Sequence, residues 1–140
     1  MDFITGGVYN GKGKWVKEQL LHDQEEYSWI DGSNLSTLPD SQDIHTSVVV
    51  IYHLESVINT YIEQLQQSLL TEHVDQLLEW EKSCKEHQLI FIGTDITKGI
   101  VPLEKADRTW RDTVGFIYQY LIQQANRVFL IWFGLSEQLK

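Results

Sequence analysis

The sequence predicts an α/β fold in which a mostly parallel sheet carries helices on both faces. Short apolar and β-branched runs, such as 46–52 (TSVVVIY) and 88–93 (QLIFIG), are typical of strands that are buried on both sides. Stretches with apolar residues three and four positions apart separate these runs, which is the spacing of amphipathic helices. Strands that alternate with helices favour parallel pairing, because each helix returns the chain to the same end of the sheet.

The predicted elements follow in a regular order. Residues 2–5 form a strand that ends in a glycine pair, and a helix starts near Gly11. Residues 23–45 are polar and rich in turn formers, with at most one short strand around 27–30. The later elements are a strand over 46–52, helices over 54–69 and 72–87, a strand over 88–93, a loop over 94–106, a helix over 107–126 and a strand over 127–133. Nothing divides the chain, so we expect one domain over residues 1–140.

The charges are unevenly distributed along the chain. The net charge is −9, and there is no Lys or Arg between Lys17 and Lys82. Such an acidic domain would repel a phosphate backbone, so we expect no nucleic-acid partner. The basic residues form two groups, Lys12, Lys14 and Lys17 near the start and Lys98, Lys105, Arg108, Arg111 and Arg127 late in the chain. They either face one small phosphorylated ligand or are ordinary solvated charges.

The cysteine, the histidines and the apolar runs limit the kinds of site and the compartment. Cys84 is the single cysteine, which excludes an internal disulfide, and we place it in the core. No apolar run approaches the ~20 residues that span a bilayer, and no signal-peptide pattern opens the chain. We therefore expect a cytoplasmic protein. The histidines lack metal-ligand spacing, and His53 at a strand end is either a catalytic substitute or a simple turn residue.

A glycine-rich segment between the first strand and the first helix nearly matches the phosphate-binding pattern G-x-x-x-x-G-K-[ST]. Its residues are Gly6, Gly7, Val8, Tyr9, Asn10, Gly11, Lys12 and Gly13. In such a loop, backbone N–H groups surround phosphate oxygens, the helix N-terminus adds its dipole, and the lysine contacts the outer phosphates. The position between a strand and a helix favours a phosphate site with Lys12 as its contact. A glycine turn without a ligand is the alternative.

The glycine-rich segment lacks a group that binds Mg²⁺ in the full pattern. Gly13 stands where the pattern has the Ser or Thr whose hydroxyl holds the metal, although a water molecule could replace that hydroxyl. Such sites usually have a second carboxylate at the end of a buried strand, where it holds the Mg²⁺ shell. At the end of the strand 46–52 this chain offers Tyr52 and His53 instead, with Glu55 only a few residues later. Asp95, directly after the strand 88–93, is the better placed catalytic carboxylate, since α/β sheets bind ligands at this edge. A turn or helix-cap aspartate is the alternative.

Three segments carry a family resemblance. Residues 3–18 read FITGGVYNGKGKWVKE, residues 90–102 read IFIGTDITKGIVP, and residues from 108 onward begin RTWRDTVGF. They are similar to V-T-G-G-x-x-S-G-K-S-x-x-A-E, V-V-S-N-E-V-G-x-G-I-V-P and R-x-F-R-D-x-x-G. These are patterns of the adenosylcobinamide kinase / adenosylcobinamide-phosphate guanylyltransferase family of cobalamin biosynthesis. Order and spacing hold over the last ~50 residues, which is more specific than a lone glycine loop.

The resemblance implies a fold, a reaction and a set of site residues. It implies a P-loop NTPase fold with a RecA-like sheet, a GTP- or ATP-dependent kinase step on adenosylcobinamide, GMP transfer to the phosphate product, and a homo-oligomer. Gly6, Gly7, Gly11 and Lys12 would bind phosphate, and Asp95 stands where the family has a glutamate. Arg108, Arg111 and Asp112 would shape the substrate site or a subunit contact.

The chain departs from the family pattern between the first helix and the strand 46–52. There the family has a histidine that accepts GMP, followed by arginines, whereas this short region has no arginine. His22 and His45 lie in or beside it without the H-x-x-x-R pattern, so we expect no guanylyl transfer. The hypotheses that remain are a kinase, an inactive relative that binds nucleotide, a corrinoid or a partner protein, and a structural domain without a ligand.

Overall fold

The computed structural model describes residues 1–140 and contains one six-stranded sheet. The strands are β1 (Asp2–Gly6), β2 (Ser28–Asp31), β3 (Val48–Tyr52), β4 (Gln88–Thr94), β5 (Arg127–Trp132) and β6 (Leu135–Gln138). Their order is β2-β3-β4-β1-β5-β6, and every neighbouring pair is parallel except β5 and β6. The mostly parallel sheet expected from the alternating runs is confirmed.

Helices cover both faces of the sheet, as predicted. They are α1 (Lys12–Gln19), α2 (Leu54–Glu63), α3 (Gln67–Ser83) and α4 (Lys105–Gln124). Successive strand residues point to opposite faces, so Ile4 joins an apolar cluster with Val16 of α1, whereas Phe3 joins a larger cluster with residues of α2, α3 and α4. Each of these fully buried side chains contributes about 1.5–3 kcal/mol through its removal from water. Helix α1 and three further helices therefore hold β1 at the centre of the sheet.

The helix predicted over 54–69 is wrong, because the chain breaks between α2 and α3. Leu65 adopts the left-handed conformation with φ 57° and is 85% exposed. The amide of Leu65 donates to Ile62 O at 3.0 Å, and the amide of Gln66 donates to Tyr61 O at 2.8 Å. This pair of bonds is a Schellman stop, which usually carries glycine at the left-handed position. Because leucine occupies this position, the sequence has no glycine to mark the end of α2, and the apolar spacing continues across it.

Three smaller differences concern the ends of elements. Helix α3 begins at Gln67 rather than at residue 72, and α4 begins at Lys105 rather than at residue 107. Cys84 follows the end of α3 and is partly exposed, so its placement in the core was wrong. The antiparallel strand β6 was not predicted. None of the helices combines the length and the apolar character needed to cross a membrane.

Candidate functional site

The strands β1, β3 and β4 end side by side at one edge of the sheet. Their last residues are Gly6, Tyr52 and Thr94, and Gly6 is in register with Thr94. The glycine loop, defined here as Gly6–Gly13, leaves β1 at this edge and runs into α1. Parallel sheets bind ligands at the carboxyl ends of their strands, where the connecting loops leave a crevice. The predicted phosphate segment therefore lies where the topology favours a ligand.

The glycine loop is anchored on its β5 side and open at its tip. Asn10 donates its side-chain amide to Ile131 O at 3.3 Å, and Gly134 donates its backbone amide to Asn10 O at 2.9 Å. Tyr9, at the tip, has φ 60° and is 99% exposed. The first hydrogen bond into α1 runs from the Trp15 amide to Gly11 O at 2.9 Å, so the amides of the preceding turn are available to an anion.

The side chain of Lys12 lies beneath the loop instead of extending into solvent. Lys12 is 5% exposed, and its ammonium donates to Gly7 O at 2.8 Å and to Gly6 O at 3.2 Å. Burial lowers the pKa of Lys12, and the carboxylate of Glu55 opposes this effect. A phosphate at the loop would return to the ammonium the stabilisation that burial removes.

Glu55 is the buried carboxylate beside this lysine, although the sequence favoured Asp95 over it as the catalytic carboxylate. Its side chain is in the first turn of α2 and accepts from the Thr94 amide at 2.8 Å and from the Tyr118 hydroxyl at 3.4 Å. Glu55 and Lys12 line one opening of about 440 Å³, called here the loop cavity. The loop cavity is lined by residues 8–14 together with Tyr52, His53, Glu55 and Thr94. In the sequence, Glu55 could have been recognised as a candidate because it is an acidic residue in the first turn of a helix that directly follows a strand.

Asp95 lies next to the glycine loop but faces other openings. Its backbone amide donates to Gly6 O at 3.0 Å, whereas its carboxylate accepts from the Thr97 amide at 3.0 Å and pairs with Lys98 at 3.4 Å. Burial raises the pKa of Asp95, but the hydrogen bonds of Thr97 and the ammonium of Lys98 together lower it below its usual value. Asp95 does not line the loop cavity.

The three late candidates lie on α4, away from Lys12. Arg108 donates to Pro102 O at 3.0 Å and so holds the start of α4 to the preceding loop. Arg111 pairs with its neighbour Asp112 at 2.9 Å. Arg111 and Asp112 share with Asp95 a groove of about 460 Å³ between α4 and the sheet. Of the predicted site residues, residues 8–13 line the loop cavity and Asp95, Arg111 and Asp112 line this groove, whereas Gly6, Gly7 and Arg108 line neither.

The residues around the loop cavity fit a directly bound Mg²⁺ poorly. Gly13 has no hydroxyl, and β3 ends in the phenol of Tyr52, whose pKa is raised by burial and by nearby Glu55 and Asp31. Nowhere in residues 1–140 do three His, Cys, Asp or Glu side chains come together as metal ligands. Glu55 is already engaged by Thr94 and Tyr118. The chain itself therefore offers phosphate-binding groups without a matching set of metal ligands.

Restoring the missing hydroxyl at Gly13 tests whether its absence weakens Mg²⁺ binding at the loop. A Cβ at Gly13 would lie 3.5 Å from the ring of Trp29, an ordinary contact, so we expect Gly13→Ser to fold and to be more stable by about 0.5 kcal/mol from helix propensity. The variant should gain a Mg²⁺-dependent increase in nucleotide affinity that the parent lacks, measured by titration with Mg²⁺ and with EDTA. Gly115→Ser in α4, where an added Cβ would also make only an ordinary contact, 3.6 Å from Thr97 Cγ2, is the matched control. An equal Mg²⁺ effect in parent and variant would contradict the expectation.

Residues 22–139 match the model of the CobU family, described as cobinamide kinase / cobinamide phosphate guanyltransferase. The match covers well over half of the chain. The chain belongs to this family. Membership confirms the resemblance and the P-loop NTPase fold, and it gives the chain a cobinamide kinase/guanylyltransferase-like function in cobalamin biosynthesis, in a family that binds nucleotide and cobinamide.

The matched range of the CobU family begins after α1. The glycine loop is therefore outside the match, and its role is argued from its own geometry. Comparison with curated proteins gives no match.

Proposed function

We propose that the glycine loop binds GTP or ATP and that the protein transfers the terminal phosphoryl group to adenosylcobinamide. The observation that carries the proposal is Lys12, whose ammonium is held beneath an anchored loop with an exposed tip. A buried ammonium with only backbone carbonyls as hydrogen-bond partners is poised for an anion. The unpaired amides at the start of α1 add donors on the same side.

We further propose that the chain does not transfer a guanylyl group. Such a transfer in this family would use a histidine at the nucleotide. His22 is exposed beyond the far end of α1 and pairs with Asp23 at 2.8 Å, and His45 is exposed ahead of β3. Neither histidine lines the loop cavity. A covalent intermediate on either one would require the nucleotide to leave the glycine loop.

A catalytically inactive relative is the second candidate function. Gly13 and Tyr52 favour it, because they occupy the positions where a hydroxyl and a carboxylate would hold a metal. Both candidates predict nucleotide binding, and only the kinase predicts a phosphorylated corrinoid. A domain that merely binds a partner would do neither.

The test of the binding site is a titration followed by intrinsic fluorescence. Trp29 lies beside Gly13 and carries the ammonium of Lys17 4.5 Å from its ring centroid, so it should report an occupied loop. We expect a saturable change with GTP or ATP at concentrations below a millimolar. Absence of binding at millimolar nucleotide, weaker than about −4 kcal/mol, would exclude the kinase and the nucleotide-binding relative together.

We also propose that copies of this chain associate through the apolar surface beside β6. Trp132, Phe133 and Leu135 are exposed there at the antiparallel edge of the sheet, and β6 leaves one edge unpaired. Ile100 and Leu103, in the loop before α4, are more than nine-tenths exposed. Exposed apolar patches and strand edges of this kind are characteristic of association surfaces. Light scattering should show an oligomer for the parent and a smaller species for Phe133→Asp; an unchanged monomer for both would refute the association.

A further inference from the structure

A histidine and an aspartate from neighbouring strands meet at the rim of the loop cavity. His53 follows β3, and its Nδ1 lies 2.9 Å from Oδ1 of Asp31, the last residue of β2. The same oxygen accepts from the amide of Ser33 at 3.0 Å and from its hydroxyl at 2.7 Å. These hydrogen bonds, from Ser33 first and then from His53, lower the pKa of Asp31. The carboxylate therefore stays charged, and because an ionised carboxylate can only accept, Nδ1–H donates this hydrogen bond.

The second ring nitrogen of His53 is free. Its Nε2 has no hydrogen-bond partner in the protein, and the ring is supported by Tyr52 at a centroid distance of 3.7 Å. His53 lines the loop cavity together with Lys12 and Glu55. With Nδ1 as the donor to Asp31, Nε2 of the neutral ring is a proton acceptor in a residue that lines this cavity.

The backbone fixes this arrangement from both sides. His53 caps α2 in the left-handed conformation with φ 56°, which non-glycine residues seldom adopt. On the β2 side, Gly32 approaches so closely that an added Cβ would lie 2.6 Å from His53 O and 2.7 Å from Tyr52 O. Strained backbone at a cavity is a recurring feature of functional sites. The pair is therefore positioned by two strand ends and a close backbone approach, and not by a flexible loop.

We propose that His53 is the general base of the phosphoryl transfer and that Asp31 is its positioning residue. The inference rests on the proposed kinase function and adds the group that receives the acceptor proton. The acceptor hydroxyl gives its proton to His53 Nε2 while its oxygen forms a bond to the terminal phosphorus of the nucleotide. The bond from that phosphorus to the bridging oxygen breaks, and the nucleoside diphosphate leaves with the electron pair. The imidazolium then releases its proton to solvent.

The first test compares single-turnover phosphoryl transfer from GTP to adenosylcobinamide in three variants. His53→Asn keeps a residue that tolerates the left-handed conformation and should lower the rate by about 100-fold or more, with nucleotide affinity within about twofold of the parent. Asp31→Asn should lower the rate by a smaller factor. His22→Ala, which removes the exposed pair with Asp23, is the matched control and should leave the rate unchanged. A full rate in His53→Asn would overturn the inference and leave the proposed kinase standing.

The second test combines chemical rescue of the rate with a measurement on the ring that does not depend on turnover. In His53→Gly, added imidazole should restore part of the rate, because a free base can enter the vacated volume. In the parent protein, nitrogen NMR of the neutral ring should show the proton on Nδ1, and Asp31→Asn should reduce that preference. A proton on Nε2 would overturn the inference, even where transfer is observed. A parent that binds nucleotide and phosphorylates no acceptor would overturn both the kinase and its base.

Discussion

Lys12→Ala is expected to weaken the binding of GTP and ATP by about 10- to 150-fold, equivalent to the about 1.5–3 kcal/mol that a hydrogen bond to a charged group contributes. The ammonium is already desolvated and is held only by the carbonyls of Gly6 and Gly7. A phosphate can therefore interact with the positive charge of Lys12 without first displacing much water from the ammonium. Titration of the variant by intrinsic tryptophan fluorescence, to which Trp29 contributes, measures the loss.

Lys14→Ala is the matched control for this prediction. Lys14 lies on the same helix two residues later, is 78% exposed in its side chain and makes a 3.7 Å ion pair with Glu18. An exposed charge of this kind contributes little, so its removal should change nucleotide affinity by no more than a few-fold. Equal losses in the two variants would indicate general electrostatic attraction, and an unchanged affinity in Lys12→Ala would show that the loop is only a turn.

Gly6→Ala should lower the free energy of unfolding by about 3 kcal/mol or more. Gly6 has φ 149°, and an added Cβ would lie 2.2 Å from the carbonyl oxygen of Ile131 in β5. The added Cβ is fixed to the backbone of β1 and the oxygen belongs to the backbone of β5, so the clash can be relieved only by separating β1 from β5. In a chain of this length we expect a decrease in melting temperature of roughly 10 °C, measured by circular dichroism.

Gly134→Ala separates the two causes of that loss. Gly134 also has a positive φ, 81°, but an added Cβ would meet nothing within 4 Å. It therefore reports the conformational penalty alone, about 1 kcal/mol. If Gly6→Ala cost no more than Gly134→Ala, the close approach of β1 to β5 at the glycine loop would be contradicted.

The sheet and the glycine loop could be predicted from the sequence because their signals are local. The run 46–52 is β-branched and uniformly apolar, and β3 is buried along Val48–Ile51 as that pattern indicates. The glycine loop lies between a strand and a helix, and that context placed it correctly at the carboxyl edge. By contrast, the residues of β6 (Leu135–Gln138) are all exposed and carry no apolar alternation, so the pattern that reveals a strand is absent.

The details of the candidate site could not be predicted, because they depend on contacts between distant residues. Glu55 meets Thr94 and Tyr118, which are 39 and 63 residues further along the chain. Asp31 and His53 are 22 residues apart and meet only because β2 and β3 pair in parallel register. The sequence favours Asp95 because this carboxylate directly follows β4. It does not show that the first turn of α2 folds back over the carboxyl edge of β4 and brings Glu55 there.

Separate labelling of the phosphates of GTP tests the central claim most directly. The purified protein is incubated with adenosylcobinamide and GTP labelled either in the terminal phosphate or in the phosphate next to the ribose. The account predicts that the terminal label moves to the corrinoid, and that the inner label moves neither to the corrinoid nor to the protein. Inner label on the protein or the corrinoid would contradict the absence of guanylyl transfer. Terminal label that stays with the nucleotide, under conditions where GTP binds, would contradict the kinase.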